Sequence, residues 1–296
     1  MISVVSRPGW FVRAFHGARE QGGGQGTARP TTGAFARVCR GGGVALCGLV
    51  WLGTAARAED ASPARLLAQG EVLSQKHESR AALQVYLQAE KLFPANAEVQ
   101  IKMAEAYMDL MHGTKSKSEQ KTLAAQALAC GQKAAADDAQ SARAHVCVAI
   151  GYAKSFPYLD NQTKVNYSRL IKAEAEKAIG LDPKFDLSYH MLGRWNCEVA
   201  NMNLLLAGLV RIVYGGLPKA SNQMAIQNFK KAIELAPARI IHHLQLAHVY
   251  HITGEKKLMT AELKACAGYT PVDLDDSDAQ QIAAKVLETG KWPAEF

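Results

Sequence analysis

The 296 residues contain no G-x-G-x-x-G, no G-x-x-x-x-G-K-[ST], no H-E-x-x-H and no G-x-S-x-G. Those spacings build dinucleotide folds, phosphate loops, zinc-protease helices and nucleophile elbows, so no catalytic residue is nominated and the chain reads as a non-enzyme. Acidic side chains are nearly missing from the first 58 residues, which hold seven Arg, no Lys and one acid, Glu20. The net charge of +7 is concentrated there, and the remaining residues carry 27 basic against 26 acidic side chains. A near-neutral body argues against nucleic acid as the partner. Six cysteines occur, at Cys39, Cys47, Cys130, Cys147, Cys197 and Cys266, with no C-x-x-C and no histidine at ligand spacing. Neither a metal nor a cofactor is expected, and the cysteines read as small buried hydrophobes. A disulfide stays open if the chain is exported.

What is present begins with a leader. Arg37 and Arg40 precede the apolar run Val44-Ala45-Leu46-Cys47-Gly48-Leu49-Val50-Trp51-Leu52, and Ala56 and Ala58 follow in an A-x-A arrangement. The run is short of the ~20 residues that span a bilayer. Residues 1–58 are therefore expected to be a targeting segment, with a mature chain beginning at Glu59. Export to a bacterial periplasm or secretion is the first reading. A mitochondrial-type presequence and an uncleaved anchor are the alternatives.

From residue 63 the chain repeats. Small and aromatic residues recur where two crossing helices need them: Gly70, Ala82, Tyr86 and Ala89, then Gly193, Ala225, Phe229 and Ala232. Pro94, Pro183, Pro237 and Pro271 fall where a second helix must end, because proline drives the preceding residue out of the α region. This pattern predicts an all-α tetratricopeptide-type solenoid of about five helix pairs. The units are 63–96, 97–141, 142–185, 186–239 and 240–273, followed by a capping helix and tail at 275–296. The second, third and fourth units are stretched beyond 34 residues, by longer helices or added loops.

Tyr189-His190-Met191-Leu192-Gly193-Arg194-Trp195 carries an H-x-x-G-x-W pattern. With Asn161-Gln162-Thr163, Glu176-Lys177-Ala178-Ile179 and the long fourth unit, it resembles the regulator of microtubule dynamics family over about residues 80–290. The resemblance implies a tetratricopeptide fold, association with microtubules, spindle poles or mitochondria, and in one member membrane contact and lipid handling. It also implies a mitochondrial or cytoplasmic location, and microtubules become a partner only in a cytosolic protein.

In such an array the first helix of each pair lines a concave groove that holds a protein or peptide. Glu71, Glu98, Glu105 and Asp109 fall at inward positions at one end. Arg143, Lys154, His190, Arg194, His248 and His251 fall at inward positions at the other and are the expected binding residues. His190 and Arg194 would anchor an acidic group. In the rival account Arg194 pairs with Glu198. No Lys–Asn pair recurs to make a carboxylate clamp. Asp273, Asp275, Asp276 and Asp278 lack the glycine and closing glutamate of a calcium loop and read as the acidic start of a helix.

One further segment stands out. Leu204–Tyr214 is apolar apart from Arg211. Leu204, Leu205, Leu209, Ile212 and Tyr214 would be buried against neighbouring repeats, face lipid, or form a dimer contact.

Overall fold

Short polar side chains decide where most of the helices begin. Ser62, Asn96, Ser116, Ser141, Asp160, Asn203, Ser221 and Asp273 each accept a hydrogen bond from the backbone N–H three residues on. Each satisfies an amide that the helix itself leaves without a partner. The ends are set as simply. Phe93, Asp182 and Ala236 adopt φ near −135 to −140° with positive ψ, and in each case the next residue is a proline.

The computed structural model describes residues 62–293, so the expected targeting segment at 1–58 lies outside the described residues. Among the described residues there are twelve α-helices and no strand. The first unit is α1 (Pro63–Gln75) with α2 (Ser79–Leu92), and the second is α3 (Ala97–Gly113) with α4 (Lys117–Asp137). The third is α5 (Ala142–Ser155) with α6 (Asn161–Leu181), separated by a 3₁₀ turn at Phe156–Tyr158. In the fourth, α7 (Asp186–Ala200) pairs with α9 (Asn222–Leu235), and α8 (Leu204–Tyr214) stands between them. The fifth is α10 (Ile240–Ile252) with α11 (Lys256–Gly268), and α12 (Leu274–Thr289) closes the array.

Two different devices absorb the stretched spacing. The second helices α4 and α6 run 21 residues each, against 14 for α2 and α9. The fourth unit inserts a whole extra helix.

Packing explains the recurring small residues. Ala82, Ala104, Ala127, Ala178, Ala232 and Ala247 have no exposed surface. A Cβ on Gly193 would sit 2.9 Å from the Phe229 ring, and one on Gly70 would sit 2.1 Å from the Tyr86 ring. Glycine on the first helix makes room for the aromatic on the second, which locks the pair at close range. Cys130, Cys147, Cys197 and Cys266 are buried free thiols, and burial raises each above the usual range.

Candidate functional site

The H-x-x-G-x-W residues turn inward and hold the scaffold together. Trp195 is fully buried and its Nε1–H donates to the Ser168 carbonyl at 2.8 Å, tying α7 to α6. Gly193 receives Phe229 of α9. His190 is fully buried, with its Nδ1 2.8 Å from Nδ1 of His242 on α10. His242 Nε2 lies 2.8 Å from Asp186 Oδ2. An ionised Asp186 takes the Nε2–H of His242, so His242 Nδ1 accepts from His190 Nδ1–H. Burial and the neighbouring His242 hold His190 well below its usual range, so it stays neutral.

This placement corrects the expected groove. His190 is enclosed between α9 and α10 and offers no surface to a partner. Arg194 is 4% exposed and Lys154 3% exposed. Both are buried because the chain's own C-terminal segment lies over the inner side of the array. His112, at the end of α3, has Nε2 3.2 Å from Asp275 and Nδ1 3.1 Å from Asp278, both on α12. Asp275 is fully buried, and its charge also acts on Lys154 of α5 and Arg194 of α7. Beyond α12, Trp292 lies against His248 and His251 of α10, with ring centroids 5.1 and 5.4 Å apart. The capping helix thus packs on α10 and α11 and also reaches back to α3 with its acidic first turn.

The electrostatics follow from that enclosure. Burial pushes the Asp109 carboxyl up to about 7, reinforced by nearby Asp275. It lowers Lys154 to about 8 and His248 to about 3. For His112 burial works downward, but the bonds to Asp275 and Asp278 overcome it and bring the imidazole to about 9. Asp273 caps α12 and meets Arg239 Nη2 at 2.6 Å, so the acidic cluster is used in starting and docking this helix.

The acidic end of the inner face is also spoken for. Lys102 Nζ lies 2.5 Å from Glu71 and 3.1 Å from Glu105, while Arg143 bridges Glu98 at 2.5 Å and Glu105 at 2.6 Å. Arg143, expected to bind a partner, works as a staple between α3 and α5. Of the six expected groove residues His251 is exposed, and Arg143 and His248 are half-buried. An open cleft of about 640 Å³ remains where the α1–α2 turn, the end of α3 and the start of α12 converge, lined by His77, Arg80, Ala81, Asp109, His112 and Leu274.

The insertion helix α8 differs from everything around it. Leu204 and Leu205 are 90% exposed and Ile212 is 85% exposed, with Leu209 and Val213 about half exposed. Val210 is buried and Tyr214 is half-buried. Simple burial against the repeats therefore accounts for one side of this helix only. Among the described residues, no group of His, Cys, Asp and Glu could hold a metal ion.

A stack of paired helices, tied by side chains and with no strand among the described residues, is a tetratricopeptide-type scaffold. A solved thermophilic tetratricopeptide protein from Thermus thermophilus has this fold, with a TM-score of 0.57 at 18% identity, covering 77% of this chain and all of that one. The chain belongs to the family described as regulator of microtubule dynamics protein 1-3, whose model matches residues 66–291. Regulator of microtubule dynamics protein 1 of Mus musculus is 28% identical over 224 residues, 75% of this chain and 73% of that protein. Protein 3 of Xenopus laevis is 26% identical over 71% of this chain and 46% of its own length. Protein 2 of Homo sapiens is 25% identical over 67% and 49%. The chain spans about half the length of those type 2 and type 3 relatives.

Proposed function

We propose that this chain is a non-catalytic scaffold that holds a protein or peptide partner at the mouth of its inner face. The observation that carries this reading is the open cleft between the α1–α2 turn and α12, on a face where Lys154, His190 and Arg194 are buried. The cleft offers apolar wall from Leu110 and Leu274, the first turn of α2, and the side chains of His77, Arg80 and Asp109. Such a mixed lining suits a short peptide segment. The deeper positions Lys154, His190 and Arg194 then act as structure, and His251 is the expected groove residue still in reach of a partner.

Microtubules are the partner to test first, because the family relatives are named for them. That partner needs a cytosolic location, whereas export or mitochondrial import would remove it. The experiment is co-sedimentation with microtubules assembled from purified tubulin, for the full chain and for Ala81→Trp, which fills the cleft from an exposed position. Pelleting lost in Ala81→Trp with unchanged melting supports the mouth as the binding surface. Pelleting unchanged in the variant places the partner elsewhere, and no pelleting of either rejects microtubules.

A second reading, membrane contact, rests on the exposed apolar face of α8. A soluble partner for that face would have to cover a helix with five large apolar side chains in water.

A further inference from the structure

We propose that α8 is an in-plane anchor for the surface of an anionic bilayer. The proposal deepens the second reading above and rests on it.

The geometry of α8 separates cleanly into two sides. At 100° per residue, Leu204, Leu205, Gly208, Leu209, Ile212 and Val213 fall on one continuous half of the helix. Every large side chain among them is exposed. Leu206, Val210 and Tyr214 fall on the other half and pack into the core. The guanidinium of Arg169 on α6 donates to the carbonyls of Tyr214 and Gly216, the latter at 2.7 Å, and so ties down the end of the helix. The apolar side is therefore held outward by a clamp on a neighbouring repeat.

Length and charge choose the occupant. Eleven residues rise only about 16 Å, half of a hydrocarbon core. No single helix among the described residues is long and apolar enough to cross a membrane. A short helix with one apolar side lies in the interface plane. Between Glu198 and Glu234 there is no acidic residue, and four cations occur: Arg211, Lys219, Lys230 and Lys231, the last paired with Glu234 at 2.7 Å. Arg211 and Lys219 are exposed; Arg211 borders the apolar side on the helix, and Lys219 follows five residues after its end. In a body that is otherwise balanced, this one-sign stretch suits lipid phosphates and carboxylates. A second copy fits less well, because a two-fold contact on α8 would bring the cations of both copies to one interface with no acidic residue between Glu198 and Glu234 to offset them.

The experiment is vesicle flotation of the full chain and of the double variant Leu205→Glu, Ile212→Glu. One set of vesicles is phosphatidylcholine alone, and the other carries about 30 mol% phosphatidylserine. Both proteins keep the basic leader, so their difference isolates α8. The result expected is flotation with the anionic vesicles, weakened by salt, at least about tenfold lower in the variant and in phosphatidylcholine alone. Both side chains already face solvent, so melting should not change. Equal flotation with both vesicle types overturns the anionic preference and leaves α8 as a membrane surface. Flotation unchanged in the variant overturns α8 as the anchor. No flotation, together with a dimer that the double variant dissociates, overturns both and assigns the face to a second copy.

Discussion

His112 Nε2 on α3 stands 3.2 Å from the fully buried carboxylate of Asp275 on α12. This contact joins the second repeat to the C-terminal helix and encloses the polar residues between them. Removing one partner of such a pair leaves the other buried without compensation. His112→Gln should cost about 2–3 kcal/mol in urea unfolding. The pH profile gives a second check. The folded pKa of His112, about 9, lies above the unfolded value of about 6.5. Its contribution is complete below pH ~6.5 and is lost as pH rises through about 9. Wild type should therefore lose its margin over His112→Gln between those values.

Acid should act through a different pair. Burial holds His190 and His242 below their usual range, His190 the further. Their contribution is present above pH ~6.5 and lost as pH falls below it, because the unfolded chain takes up protons that the folded one refuses. Each such proton adds a slope of about 1.4 kcal/mol per pH unit. Urea titrations from pH 7 to 5 should show a steeper fall in wild type than in His190→Asn.

Not every crossing glycine should cost the same when replaced. A Cβ on Gly193 would meet the edge of the Phe229 ring at 2.9 Å, and the ring can pivot. On Gly151 it would meet the Leu128 Cα at 2.7 Å, which is backbone. Gly151→Ala should therefore lower stability more than Gly193→Ala, within the 1–3 kcal/mol typical of overpacking. Equal melting points would show that the α4–α5 contact gives as readily as a side chain.

Arg194→Ala distinguishes a groove anchor from a structural cation. Glu198 and Asp275 are the carboxylates whose charges act on Arg194, and burial lowers its pKa. Truncation should lower stability by about 3 kcal/mol or more. Unchanged melting would return Arg194 to the list of partner contacts.

The repeat was legible in sequence because its constraints are local and periodic. A proline at Pro94 or Pro183 ends a helix whatever lies around it, and Gly193 opposite Phe229 follows from the spacing of two crossing helices. The inner face was not legible from the repeat alone. Position within a repeat places Lys154 and Arg194 inward, but it does not say what covers them. The cover is α12, and its docking depends on His112 meeting Asp275 and Asp278 across most of the chain. Apolar composition likewise marked Leu204–Tyr214 as unusual, and the exposure of its outer half comes from where α6 and Arg169 hold it. The His190–His242–Asp186 chain joins two units, and the adjacent histidines at 242 and 243 gave no sign of it.

If α12 is a fixed part of the fold over Lys154 and Arg194, the mouth cleft and α8 are the surfaces left for partners. Hydrogen exchange of the native chain tests this most directly. The amides of Ala279, Ala283 and Val286, buried on α12, should exchange as slowly as those of Ile241 and Leu244 on α10. Exchange in α12 at the faster rate of the outer helix α1, with α10 still protected, would contradict it: the helix would be opening freely, and the inner face would be available after all.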